Sequence, residues 1–204
     1  MSELVDVTHR LLGWLFSWTS VVRRVDGSGD FIQDWAAYKT GFGSPAGEYW
    51  FGNEYLHYLT NTRSYTLRFD LEDWDGETRY AVYASFRVTS EADNYRLLLG
   101  DYSGTASSDQ QHDTEEGFLY HNNSFFSTYD NINDECVFCD ASCIGSYGYG
   151  GFWLKSCMKV GATNRYLVVS QMSQFHVRDR IRWDAWRDQS SPLKTLSMKL
   201  RPVT

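Results

Sequence analysis

With 204 residues, eight Trp, fourteen Tyr and twelve Phe, the chain has the size and aromatic content of one folded domain, which excludes a disordered segment. A net charge of −7 speaks against a general nucleic-acid binder. The hydrophobic share of 42% is ordinary, and no apolar run approaches the roughly 20 residues of a membrane span.

The chain opens on a short apolar cluster, Leu11, Leu12, Trp14, Leu15 and Phe16, preceded by Glu3 and Asp6 with Arg10 as its one basic side chain. A secretory signal wants a basic start, a longer apolar stretch and a small-residue cleavage site, so this is no convincing signal peptide and secretion is not argued from it. Next, Asp30 is positioned to cap a short helix that carries Trp35 and Tyr38 and stops near Gly41. Asn53 is positioned to cap a second, carrying Tyr55, Leu56 and Leu59. The period then changes. Tyr65, Leu67, Phe69 and Leu71 alternate with polar residues, as in a half-buried strand. Asp75-Gly76 marks a turn, and 80–88 reads as the partner strand of a hairpin. Residues 95–99 form another strand, and Leu196, Met198 and Leu200 alternate in a last one. Between Asp101 and Arg182 the pattern is mostly that of a loop, long enough to suggest function.

Four cysteines, at 136, 139, 143 and 157, fall inside that loop region. They permit three two-bridge connectivities. Cys136 and Cys139 also have the spacing of a zinc knuckle, but Cys143 and Cys157 are too far apart to complete one, so disulfides are favoured. The five histidines, at 9, 57, 112, 121 and 176, include no close metal-binding pair. No phosphate-binding loop or nucleophile elbow occurs, and Glu115-Glu116 reads as a solvated face. No catalytic residue is assigned. Asn122-Asn123-Ser124 is a sequon for N-glycosylation at Asn122.

Several runs in order resemble the fibrinogen C-terminal domain family. They include Trp18-Thr19, Arg24-Val25-Asp26-Gly27-Ser28, Gly47-Glu48-Tyr49-Trp50-Phe51-Gly52-Asn53-Glu54 and Leu71-Glu72-Asp73-Trp74-Asp75-Gly76. Later come Gly100-Asp101-Tyr102-Ser103-Gly104, His121-Asn122-Asn123, Trp183, Trp186 and Met198-Lys199-Leu200-Arg201-Pro202. The resemblance covers residues 17–204 and leaves 1–16 as a divergent N-terminal segment without the cysteine the family places there. It implies an extracellular α+β fold with a central antiparallel sheet, short helices and a long loop-rich C-terminal binding subdomain. It also implies a non-enzymatic recognition module, lectin-like toward carbohydrate or acetylated ligands, in innate immunity. The alternative is a structural or signalling module that binds a protein receptor or matrix partner, with the sugar and acetyl pocket lost.

The resemblance further implies site residues. It pairs Cys143 with Cys157 and leaves Cys136 and Cys139 as extras. It places a calcium loop over 130–138, with acidic side chains expected at Ile132 and Asp134 and carbonyls from Cys136 and Phe138. Ile132 has no side-chain oxygen, so the site is weakened even if Asp130 and Asn133 help, because calcium needs six to eight oxygens. The ligand pocket implied beside it uses the Ser156–Cys157 peptide, often cis in the family, and a His position that here is Met158. Tyr147, Tyr149 and His176 are the nearby candidates.

Overall fold

The computed structural model describes residues 17–136, 142–144, 150–174, 179–187 and 191–203. Its α+β architecture centres on a seven-stranded sheet. The strands are β1 (Thr19–Arg24), β2 (Phe42–Gly43), β3 (Tyr49–Trp50), β4 (Tyr65–Asp73), β5 (Thr78–Tyr83), β8 (Tyr102–Gly104) and β13 (Leu193–Pro202). The order is β2-β3-β1-β13-β4-β5-β8, antiparallel throughout. The first and last strands, β1 and β13, therefore lie side by side at its middle.

Alternation explains the longest strands. Leu67, Phe69 and Leu71 on β4 and Leu196, Met198 and Leu200 on β13 all point inward and are buried. The hairpin at Gly76 (φ 82°) is present, but the strand after it ends at Tyr83. Phe86–Val88 (β6) leaves to pair with Leu97–Leu99 (β7) in a separate ribbon. Tyr95 is not in that strand; its φ of 48° belongs to the turn before it.

Both helix starts differ from the sequence reading. Helix α1 (Trp35–Thr40) is capped by Asp34, whose side chain accepts from Ala37 N, while Asp30 accepts from Ile32 N in a turn upstream. Helix α2 (Asn53–Thr62) begins after Gly52 rather than after a side-chain cap, and Asn53 is its buried first residue. Gly52 has φ 109°, and a Cβ there would meet the Thr40 carbonyl carbon at 2.9 Å, so the chain reversal needs glycine.

The region between Asp101 and Arg182 contains more structure than its composition suggests. It holds helix α3 (Gln110–Glu116) and four two-residue strands: β9 (Phe126–Ser127), β10 (Phe152–Trp153), β11 (Val160–Gly161) and β12 (Arg182–Trp183). Aromatic packing ties them to the sheet. Trp153 lies 5.9 Å from Trp50 and 5.3 Å from Phe126, and Phe69 lies 5.0 Å from Trp183.

A buried ion pair joins the end of β1 to the residue before β3. Arg24 and Glu48 are both excluded from water and 3.4 Å apart. Glu48 Oε1 accepts from the amides of Val25, Asp26 and Gly27, and Oε2 accepts from that of Gly29. Arg24 also donates to the carbonyls of Ala162 and Asn164. Burial alone would raise the Glu48 carboxyl, but Arg24 and these amides hold it below its ordinary value. No helix among the described residues is long and apolar enough to cross a membrane.

Candidate functional site

The site implied by the resemblance lies where β9 and β10 meet the segment leading into β11. Cys143 is bonded to Cys157 with Cα atoms 5.1 Å apart, which pins residues 142–144 under the 155–158 turn. Cys136 is oxidised as well, and its sulfur lies 3.6 Å from that of Cys157. Among the described residues these three sulfurs are the one group of His, Cys, Asp or Glu ligand atoms close enough to share a metal ion. Sulfur held in disulfides lacks the thiolate that zinc requires.

The side chains of Asp130, Asn133 and Asp134 in the implied calcium loop are engaged within the fold. Asp134 spreads its oxygens to Cys136 N (3.3 Å) and Cys143 N (3.1 Å), and burial raises its carboxyl above the ordinary value. Asp130 Oδ1 accepts from Trp35 N (3.0 Å) and Thr128 Oγ1 (2.8 Å). Asn133 turns its amide nitrogen to the carbonyls of Phe126 and Asn131. The carboxylates thus tie the loop to neighbouring elements, and Ile132 is 51% exposed. Phe138, Cys139, Tyr147, Tyr149 and His176 lie outside the described residues.

The implied cis peptide at Ser156–Cys157 is corrected: the described residues contain none. The turn is made instead by a positive φ of 66° at Cys157, with Lys155 N donating to Cys157 O across it. Ser156 O accepts from Tyr120 OH (2.9 Å). Met158 is 3% exposed, and its carbonyl accepts from Arg182 Nη2. Arg182 is in turn paired with Asp184 at 3.0 Å.

The residue that orders this turn was not among the predicted site residues. His121 is fully buried; Nδ1 donates to Trp153 O (2.8 Å), and Nε2 accepts from Lys159 N (3.2 Å) and Val160 N (3.1 Å). In the sequence it appeared beside the sequon and within one of the runs that carry the resemblance, neither of which showed its role. Burial lowers its pKa to about 3, and the charges of Arg182, Lys155 and Lys159 push the same way against the Trp153 contact. The folded value lies below the unfolded value of roughly 6.5, so the neutral ring stabilises fully above that pH. The stability is lost as pH falls from there toward about 3, at about 1.4 kcal/mol per unit. Urea unfolding of the wild type is expected to show that loss between pH 6.5 and 5.5, and His121→Asn to be less stable yet flat over the same interval. Equal slopes for the two proteins would refute the assignment. The sequon residue Asn122 is half-buried, with Oδ1 accepting from Leu99 N (2.9 Å).

Comparison with known proteins places this geometry. The family model for fibrinogen beta and gamma chains, C-terminal globular domain, matches residues 12–203. Mouse angiopoietin-related protein 7 is 40% identical over 185 residues, covering 91% of this chain and 51% of that protein. Pig angiopoietin-1 is 37% identical over 187 residues, covering 91% of this chain and 35% of its own length. The chain thus spans about half or less of these curated relatives. Among solved structures, the fibrinogen-like globe domain of human ANGPTL2 superposes with a TM-score of 0.77 at 34% identity, covering 91% of this chain and 80% of that one. A lamprey fibrin D-dimer, complexed with the peptide ligand Gly-His-Arg-Pro-amide, matches with a TM-score of 0.77 at 34% identity, covering 92% and 62%.

Proposed function

The chain belongs to the family of C-terminal globular domains of the fibrinogen beta and gamma type, and from that membership we infer a secreted, non-enzymatic module that recognises a protein or peptide partner. One observation carries the reading: among the described residues, several polar backbone groups beside the implied pocket are already bonded within the fold. Ser156 O is taken by Tyr120, Met158 O by Arg182, and the amides of Lys159 and Val160 by His121. The Met158 side chain adds apolar wall and no donor. A polar group of an incoming sugar would lose its water here without replacement, at about 1–3 kcal/mol each.

A protein partner asks for something different, namely exposed aromatic and aliphatic anchors. Tyr129 (53% exposed) and Ile132 (51%) provide them on the same loop. The relatives support this direction, because they are angiopoietins and angiopoietin-related proteins, and the matched lamprey fibrin holds a peptide. They lend no support to the lectin-like, innate-immune reading, and the receptor- or matrix-binding alternative fits them better.

Calcium binding is weak in this account. Ile132→Asp adds a carboxylate where a hard cation needs oxygen and is expected to tighten calcium binding in calorimetry. Equal affinities for the two proteins would show that residues 130–138 do not form the site.

A further inference from the structure

The inner face of the seven-stranded sheet packs on the core, whereas its outer face carries polar side chains at the alternate positions. Register places Arg23 beside Ser197, Ser197 beside Asp70 and Asp70 beside Tyr80. In the neighbouring row Lys199 lies directly opposite Arg68. These side chains line an open groove of about 420 Å³, which also includes Glu72. Lys194 reaches Glu72 at 2.7 Å.

The charge of this face is opposite in sign to that of the molecule. The lining holds Arg23, Arg68, Arg79 and Lys199 against Asp70 and Glu72, with Arg24 already paired to the buried Glu48, a surplus of two positive charges on a chain whose net charge is −7. Arg68 opposite Lys199 is an unfavourable cross-strand pair by itself. Asp70 offsets it by bonding both, each at 2.7 Å. Arg23 donates only to the Ala46 carbonyl (3.1 Å) and forms no ion pair among the described residues.

We propose that this groove binds a sulfated glycosaminoglycan. The groups of the Arg68–Asp70–Lys199 cluster are each about a third exposed. Such pairs contribute little stability, so the cations can turn from Asp70 and Glu72 to an arriving anion at small cost. Guanidinium forks suit the oxygens of a tetrahedral anion. An open groove crossing several strands suits a linear polyanion better than a small enclosed ion, and Lys199 and Arg68 stand side by side on adjacent strands, about 4.8 Å apart, with Arg23 on the next strand. The proposal shares with the reading above only its extracellular setting, and it uses the sheet face rather than the loops around Tyr129. Failure of one therefore leaves a different signature from failure of the other.

The test is surface plasmon resonance of the whole protein over immobilised heparin, with salt raised from about 0.05 to 0.3 M to follow screening. Binding is expected at low salt and should weaken as salt rises. Arg23→Gln with Lys199→Gln is expected to weaken it about tenfold, and Asp70→Asn, which frees two cations, to tighten it several-fold. Lys155→Gln, on the loop face, should bind as the wild type does. Thermal melts confirm folding of each variant. Absence of wild-type binding at low salt, equal binding of the double variant, or equal binding to desulfated heparin would overturn the proposal. So would a loss in Lys155→Gln matching that of the double variant.

Discussion

Glu48→Ala is expected to cost about 3–5 kcal/mol of folding stability. The substitution removes one partner of a buried ion pair. It leaves the Arg24 guanidinium, 1% exposed, with only the Ala162 and Asn164 carbonyls as acceptors. It also strips the amides of Val25, Asp26, Gly27 and Gly29 of their common acceptor. A loop whose N–H groups converge on one carboxylate has no alternative partner inside the fold, and the uncompensated donors carry the desolvation cost. Against a total stability of roughly 5–15 kcal/mol, this brings the domain close to unfolding. Glu48→Gln keeps an oxygen for some of the amides and is expected to cost about half as much. Urea unfolding at neutral pH measures both. Because the Glu48 carboxyl is held below its ordinary value, its contribution is fully present above the ordinary carboxylate pKa and is lost as pH falls from there toward the lower folded value. The loss between pH 6.5 and 5.5 therefore belongs to His121 and not to this pair.

Replacing Cys143 and Cys157 together by Ser is expected to cost about 3 kcal/mol, because the bridge closes a loop whose ends are 14 residues apart. For a protein of this size that corresponds to a fall in Tm of roughly 6–12 °C. The effect should be local as well as global. Cys143 N donates to Asp134, so releasing residues 142–144 also loosens residues 130–136, which carry Tyr129 at their edge. Hydrogen exchange should quicken first at Cys143 and along the 155–158 turn. Non-reducing peptide mapping that finds Cys143 joined to a residue other than Cys157 would contradict the geometry.

The inner strands β4 and β13 were legible from alternation alone, since Leu67, Phe69 and Leu71 and then Leu196, Met198 and Leu200 each follow a period of two. Strand β1 was not. Its register shifts between Ser20 and Val22, so Val21 and Val22 are both buried, and the inward Arg24 breaks the apolar pattern. That arginine makes sense only with Glu48, which stands 24 residues away. The helix starts show a finer limit. Asp30 and Asp34 are both acceptable caps, and only the three-dimensional position of Ala37 N selects the second. At the site, the resemblance paired Cys143 with Cys157, a bond that is present, and it implied a calcium loop over 130–138. What it could not reveal was occupancy: Asp130 and Asp134 are engaged by amides of Trp35, Cys136 and Cys143, contacts that depend on segments brought together by folding. His121 illustrates the same point, because a histidine next to a sequon gives no hint that both ring nitrogens are bonded to backbone 32 to 39 residues further on.

The central claim is that the loop-rich end recognises a protein or peptide surface, the polar groups of Ser156, Met158, Lys159 and Val160 being engaged within the fold. Its most direct test is retention of the purified protein on N-acetylglucosamine and acetylated beads in calcium, followed by EDTA. The account predicts that the protein passes through unretained, and that Met158→His with Ile132→Asp is held back measurably. Tight retention of the natural protein with release by EDTA would contradict it.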